Sequence, residues 1–465
     1  MLRAASIAEA AGIPSVSIIG SGFLRQAELI TRGLGMPLPI AEYPGVPMVD
    51  SRETFSHKVE HNLLPAIIAG LARKDVKPVK QASGEPAPGS VVFEGTLDQV
   101  QQHFHDRLWS DGLPVIPPTQ QRVDAFLGCT DRDPAEVIAV LPQESRAASI
   151  LSIAVNGVMA GCRPEYMPLL IAIVEVMAEP DFRIEDAGST PSIELLVIVS
   201  GPIIGDLDLN SGAGVMKIGR QANSSIGRFV RLYLRNICGY RIPPGDGDKG
   251  SIGFTFNVAL AENESWARDI GWPTFGEEMG FAAGDSVVTM QSVVSFTSPV
   301  YSSGADALSH ARMFVEGMGP AFTHWCYTGL KRGLWNPLIV LGPSIARVIA
   351  SEWTKDELRH YLWQHMTLPA SKMEYLALQA GGEPLDFREA VREGYLPPEY
   401  IASDDPQRQL RIIVRPEDIG IVVAGDPGRN QSRGYMPNHI QGPRTSRRIR
   451  LPADWADILR RAKQT

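Results

Sequence analysis

The run "IELLVIVSGPII", residues 193–204, is the stretch whose reading decides the fold. A membrane helix needs roughly 18 uninterrupted apolar residues. This run is broken by Glu194 and closed by Gly201 and Pro202, so it predicts a strand over 193–200 rather than a span. A second apolar run, "MPLLIAIVEVMA" at 167–178, is interrupted by Glu175 and belongs to a predicted helix over 164–178 with Pro164 in its first turn. Outward from this pair, strands are predicted at 252–258, 286–296, 337–341, 410–414 and 419–424. Helices are predicted at 146–160, 224–237, 305–317, 344–364 and 370–379. Such interleaving predicts an α/β, or α+β, fold.

The N-terminal part repeats the pattern on a smaller scale. A helix over 3–11, a strand over 15–19, the turn "GSGF" and a helix carrying Leu24, Ala27, Ile30 and Leu34 form one strand-turn-helix unit. Ser51 is placed to cap a further helix reaching Lys74, and "DVKPVKQASGEPAPGS" at 75–90 has linker composition. The expected organisation is a partial α/β domain over 1–75, a linker over 76–90 and a large α/β domain over 91–465, with a division near 300–340 left open. Thr96 and Gln99 have capping-box spacing at the next helix. The basic C-terminal stretch "RTSRRIRLPADWADILRRAKQT" is expected to end in a solvated helix.

A length of 465 residues exceeds what one core usually serves. Hydrophobic content of 44% and charged content of 21% are those of a folded globular chain, and 44 glycines and 36 prolines predict many sharp turns. A formal net charge of −8 opposes nucleic acid as a default partner. Cys129, Cys162, Cys238 and Cys326 are too widely spaced for a disulfide framework or a CxxC metal site, which predicts a reducing, cytoplasmic setting. The N-terminus lacks the basic-then-apolar order of a secretory signal.

Several stretches carry candidate chemistry. In "GAGVMKIGRQANSSIGRFVRLYLRN", residues 212–236, a glycine-rich loop runs into Asn223, Ser224 and Ser225, expected to cap a helix with Arg228, Arg231 and Arg235 on one face. Backbone N–H groups and arginines together suit a carboxylate or phosphate. Glu262, Asn263 and Glu264 follow a predicted strand, and their carboxylates suit acid–base work or a divalent cation. Cys162 stands between two helices, after Gly161 and before Arg163 and Pro164, where positive potential would depress a thiol pKa. In an extended "FTHWCY", His324 and Cys326 would share a face and make a thiolate–imidazolium pair; in a helix they diverge. Asp111 lies in the Gly/Pro-rich turn "SDGLPVIPP". Asp426 and Arg429 follow a predicted strand, where α/β sheets place ligands.

Taken in order, "DGLPVIPPT", "AVNGVMAGCRPEYMPLL", "ANSSIGRFVRLYLRN", "ENES" and "VIASEWTKDELRHYLWQH" resemble the large region of the UGSC family of (seleno)proteins, across about 95–430. Residues 1–75 resemble the later half of that family's small domain. The UGSC or CGSC motif itself is missing, and "IIGSGF" holds no cysteine. The family is in turn compared with the substrate-binding selenoproteins of glycine, sarcosine, betaine and proline reductases, in which a selenolate cleaves a C–N bond.

By that analogy the chain would be a substrate-recognising or accessory subunit of such an enzyme; with the candidate residues above, the expectation is an enzyme or enzyme subunit, of reductase or lyase type, cleaving a C–N or C–S bond of a small anionic substrate by a thiol. Cys162 would be the thiol, Glu262 and Glu264 would move protons, and Asp111, Arg163, Asn223, Ser224, Arg228 and Arg231 would bind substrate. One alternative is a metal- or carboxylate-assisted hydrolase or lyase without redox chemistry. Another is a noncatalytic subunit that completes a partner carrying the UGSC motif, in a homo- or hetero-oligomer. No cofactor is assigned, and neither nucleic acid nor membrane is expected as a partner.

Overall fold

The computed structural model describes residues 2–73, 86–141, 146–186, 194–242, 252–437 and 442–464. Most of the expected linker falls outside these; residues 86–90 are exposed. The fold is mixed α/β. Its main sheet comprises β1 (Glu194–Ser200), β2 (Leu260–Ala261), β3 (Val287–Phe296), β4 (Val300–Tyr301), β5 (Leu338–Leu341), β6 (Gly420–Val423), β7 (Gln431–Pro437) and β8 (Thr445–Arg448). The strand order is β6-β5-β7-β3-β1-β2, with β8 on β3 and β4 on β7. Pairs β6–β5 and β1–β2 are parallel, and β3 runs antiparallel to β1, β7 and β8.

Every residue of β1 is buried, which is why its sequence runs apolar without alternation. Leu195, Val197 and Val199 face a cluster built with helices α1 (Ile150–Ala160), α2 (Met167–Met177) and α3 (Gln221–Asn236). Leu196 and Ile198 face the other way, with Leu338, Val340, Val422 and Tyr435. Ile339, Leu341, Ile421 and Val423 pack outward on a third cluster that includes the helix Ala307–Thr323. The end strands also meet, since Asn263 N–H, just past β2, donates to Val423 O of β6 at 2.7 Å. The sheet therefore rolls towards an incomplete barrel with an apolar interior. No helix among the described residues is long and apolar enough to cross a membrane.

Several expected boundaries are corrected. Residues 146–149 form a strand paired with Val137–Leu141, and α1 begins only at Ile150, capped by Ser149. The 344–364 helix is two helices, Pro343–Ala350 and Lys355–His365, because Thr354 and Glu357 form a capping box that starts a new one. In 252–258 no strand forms; that segment lies irregularly against α3, and pairing begins at Leu260. Of the 410–414 strand only Leu410 and Arg411 are paired, in a short strand Gln409–Arg411. The C-terminal helix Trp455–Ala462 is docked rather than solvated: Ile458 is buried in the first cluster and Trp455 Nε1 donates to Asp206 at 2.9 Å.

Gly227 permits the close approach of α3 to the 252–258 segment. A Cβ there would stand 2.3 Å from Asn257 C and Val258 N, both backbone. Glycine to alanine inside a helix ordinarily stabilises by up to about 1 kcal/mol. At this position overpacking reverses the sign, and Gly227→Ala is expected to lose about 1–3 kcal/mol in urea unfolding.

Candidate functional site

The expected caps of α3 prove to be interior residues. The helix starts at Gln221, with Arg220 at its N-cap and no side chain capping it, so Asn223, Ser224 and Ser225 lie within the first turns. Asn223 is 1% exposed and works as a clamp. Its Oδ1 accepts Asn210 N–H at 2.8 Å, while its Nδ2 donates to Asn210 O at 3.0 Å and Ala259 O at 2.9 Å. Ser224 Oγ accepts Gly219 N–H at 3.2 Å, which closes the glycine-rich loop on the same turn. Gly425 N–H donates to Ser211 O at 2.9 Å and Ser344 Oγ donates to Arg429 O at 2.9 Å. Loops 210–220 and 424–430 thereby meet, and the Asn263 N–H bond to Val423 O brings 262–264 to the start of the latter.

At this convergence Glu262 is 1% exposed. Its carboxylate accepts the Ser200 hydroxyl at 2.8 Å and Phe275 N–H at 2.8 and 2.9 Å. Burial pushes the Glu262 carboxyl up to about 7, against the pull of nearby Lys355 and of those two donors. Glu264 accepts Gly201 N–H at 2.7 Å, and burial raises its carboxyl as well. Asn263, between them, caps the helix Glu264–Asp269. Glu262 is thus a carboxyl able to give or take a proton near neutral pH. Asp426 caps its own turn by accepting Gly428 N–H at 2.8 Å. Lys217 and Arg429, on two of the three loops, are exposed and have no ion-pair partner among the described residues.

A second group gathers on the far side of α3. Asp111 and Arg228 form a two-point ion pair at 2.9 and 2.8 Å, and Arg228 also reaches Pro114 O at 2.9 Å. Burial works against the Asp111 charge, but the Arg228 guanidinium outweighs it and holds the carboxyl below its usual range. Arg231 pairs with Glu194 at 2.8 Å, and Arg235 Nε donates to Leu108 O at 2.7 Å. The arginine stripe, expected to be open to an anion, is occupied by the protein's own acceptors and pins α3 to β1 and to the 108–114 turn.

Cys162 belongs to this second group. Gly161 ends α1 in a left-handed turn at φ 80°, and Cys162 N–H returns to Gly157 O at 3.1 Å. The thiol is hydrogen-bonded to Ser225, whose own hydroxyl proton goes to Gln221 O at 2.7 Å. Burial pushes the thiol up to about 12, against the pull of the Ser225 hydrogen bond and of the Arg228 charge. The expected depression does not occur, because Arg163 is engaged elsewhere: with Glu165 at 2.6 Å and with Ala462 O, at the end of the C-terminal helix, at 2.6 Å.

His324 and Cys326 also separate. The segment is helical around them, His324 is exposed, Cys326 is fully buried, and burial pushes its thiol up to about 12. Among the described residues no group of three or more His, Cys, Asp or Glu is placed to hold a metal ion. Sequence reasoning missed Ser200, Gly201 and Phe275, which complete the Glu262 site; Ser200 and Gly201 end the very run that marked β1, and nothing in their spacing relates them to Glu262. Fold and site together define a mixed α/β protein with a buried, near-neutral carboxyl where three loops meet. No family model, no curated protein and no solved structure matches the chain.

Two outcomes test these environments. Because the folded-state pKa of Glu262 lies above the ordinary 4.5, its burial costs nothing below pH 4.5 and progressively more as pH rises towards 7. The stability of Glu262→Gln relative to wild type is expected to climb by about 3 kcal/mol over that window in urea titrations. Thiol labelling at pH 8 is expected to leave Cys162 unmodified in native protein and to modify it fully after unfolding; rapid native labelling would contradict the neutral thiol.

Proposed function

We propose that the protein is an enzyme of hydrolase or lyase type in which Glu262 transfers a proton on a small anionic substrate, without redox chemistry. The observation that carries this reading is the Glu262 carboxyl itself, buried, held by Ser200 and Phe275 N–H, and poised at about 7. General acid–base catalysis is most effective when the pKa lies near the working pH. Ser200 shares its hydroxyl with Glu262, and the exposed Lys217 and Arg429 put positive charge on loops 210–220 and 424–430. Glu264, raised by burial and fixed on Gly201 N–H, shapes the same place. The thiol-dependent alternative has less support, because Cys162 is neutral and its neighbouring arginines are paired. Four unpaired cysteines accord with a cytoplasmic setting.

The test is a panel of small carboxylate-bearing esters, amides and β-substituted acids, assayed with and without chelator. Activity that survives Cys162→Ser and falls by about 10²–10⁴-fold in Glu262→Gln supports the proposal. Activity abolished by Cys162→Ser and unchanged in Glu262→Gln overturns it in favour of thiol chemistry.

A further inference from the structure

Residues 2–73 form a small α/β unit whose sheet has two strands, Ser17–Gly20 and Ile40–Tyr43, paired in parallel. Parallel strands are ordinarily buried on both faces within larger sheets. Here helices Leu2–Ala10 and Leu24–Gly33 cover one face, where Ile19 packs with Leu2, Ala5 and Ala27. Val59, Leu63, Ala66 and Ile67 cover the other face over Ala41 and Tyr43, and Ile18 is left 41% exposed. Ser17 N–H donates to Pro39 O at 3.0 Å. Since successive residues of a parallel strand point their N–H and C=O to opposite sides, those of Ile18 point away from Ile40–Tyr43. Among the described residues nothing pairs with that side, which is an edge able to template a further strand.

A cavity of about 350 Å³ runs beside this edge, lined by Ile18, Ile19 and Gly20 of the strand and by Arg3, Ala27 and Ile30 of the two helices. Arg3 is the one charged residue in the lining. Its Nη1 reaches Glu185 O at 3.5 Å, while its Nη2 is buried and unpartnered. A buried donor without an acceptor is costly, and a guanidinium is matched best by a carboxylate. We propose that this slot receives an extended segment of another polypeptide, which pairs with Ser17–Gly20 as an added strand. Its apolar side chains pack on Ile18, Phe23 and Ile30, and an acidic side chain meets Arg3. A second copy is opposed by charge and by shape, since pairing the same edges brings two arginines and two sets of flanking helices to one place. The inference is independent of Glu262.

The test uses the full chain and dye-labelled peptides of about ten residues that alternate valine and threonine around a central aspartate or a central lysine. Fluorescence anisotropy is expected to show saturable binding of the aspartate peptide and binding at least about tenfold weaker for the lysine peptide. Ile18→Pro removes the edge N–H in a position where an edge strand tolerates proline, and is expected to weaken binding at least about tenfold. Arg3→Glu is expected to invert the charge preference, which decides the matter if Ile18→Pro fails to fold. No saturable binding, binding indifferent to Arg3→Glu, or a dimer of the full chain that Ile18→Pro dissolves would each overturn the proposal.

Discussion

The candidate site depends on one buried amide. Asn223 sits inside α3, where an apolar residue would satisfy the helix, yet its side chain serves three backbone groups on two other segments. Each such bond is worth about 1 kcal/mol net, whereas losing the amide would strand the buried Ala259 carbonyl at about 1–3 kcal/mol and release two half-buried Asn210 groups. That asymmetry fixes the start of the glycine-rich loop and the approach to β2 relative to one helix. Glu262 and Glu264 follow directly from β2, so their placement inherits the same constraint.

Desolvation sets the proton affinity of Glu262, against the pull of Lys355 in the buried network nearby. Lys355, 2% exposed, donates to Glu278 at 2.7 Å and to Pro273 O at 3.2 Å, and Arg359 donates to Glu278 at 2.6 Å. Arg444 is sunk among neutral acceptors, with Nε on Gln291 at 2.9 Å, and burial brings its guanidinium down to about 10. Removing a single member of such a network leaves an uncompensated buried charge, which is far costlier than exchanging a surface pair. Glu262 lies close enough to Lys355 to feel it but makes no ion pair with it. Desolvation therefore wins, and its carboxyl stays above the usual carboxylate range.

Local signals were legible wherever one segment sufficed to satisfy them. The run at 194–200, the capping box at Thr96 and the Ser51 cap appear where their spacing places them, whereas the capping box at Thr354 divides a stretch that reads as one helix. Strands β7 and β8 were not legible: "QSRGYMP" and "TSRR" carry no apolar alternation and are strands because β3 offers them an edge. The serines and asparagine at 223–225 read as caps because those residue types favour helix starts. Asn223 instead reaches Asn210 and Ala259 in distant segments, which no local rule weighs, while Ser224 holds Gly219 N–H and Ser225 turns back on Gln221 O.

Sequence alone determined the apolar runs, the helix and turn punctuation and hence the mixed α/β class, because each follows from periodicity and backbone preference within a few residues. Tertiary structure alone decided which charges are spent and which are available. Arg228, Arg231 and Arg163 read as anion ligands until Asp111, Glu194 and Glu165 are found beside them. Cys162 and Glu262 read as equally reactive until burial raises both, to about 12 and about 7. Proton affinity depends on desolvation and on the nearest charge, and both are properties of packing between segments far apart in the chain.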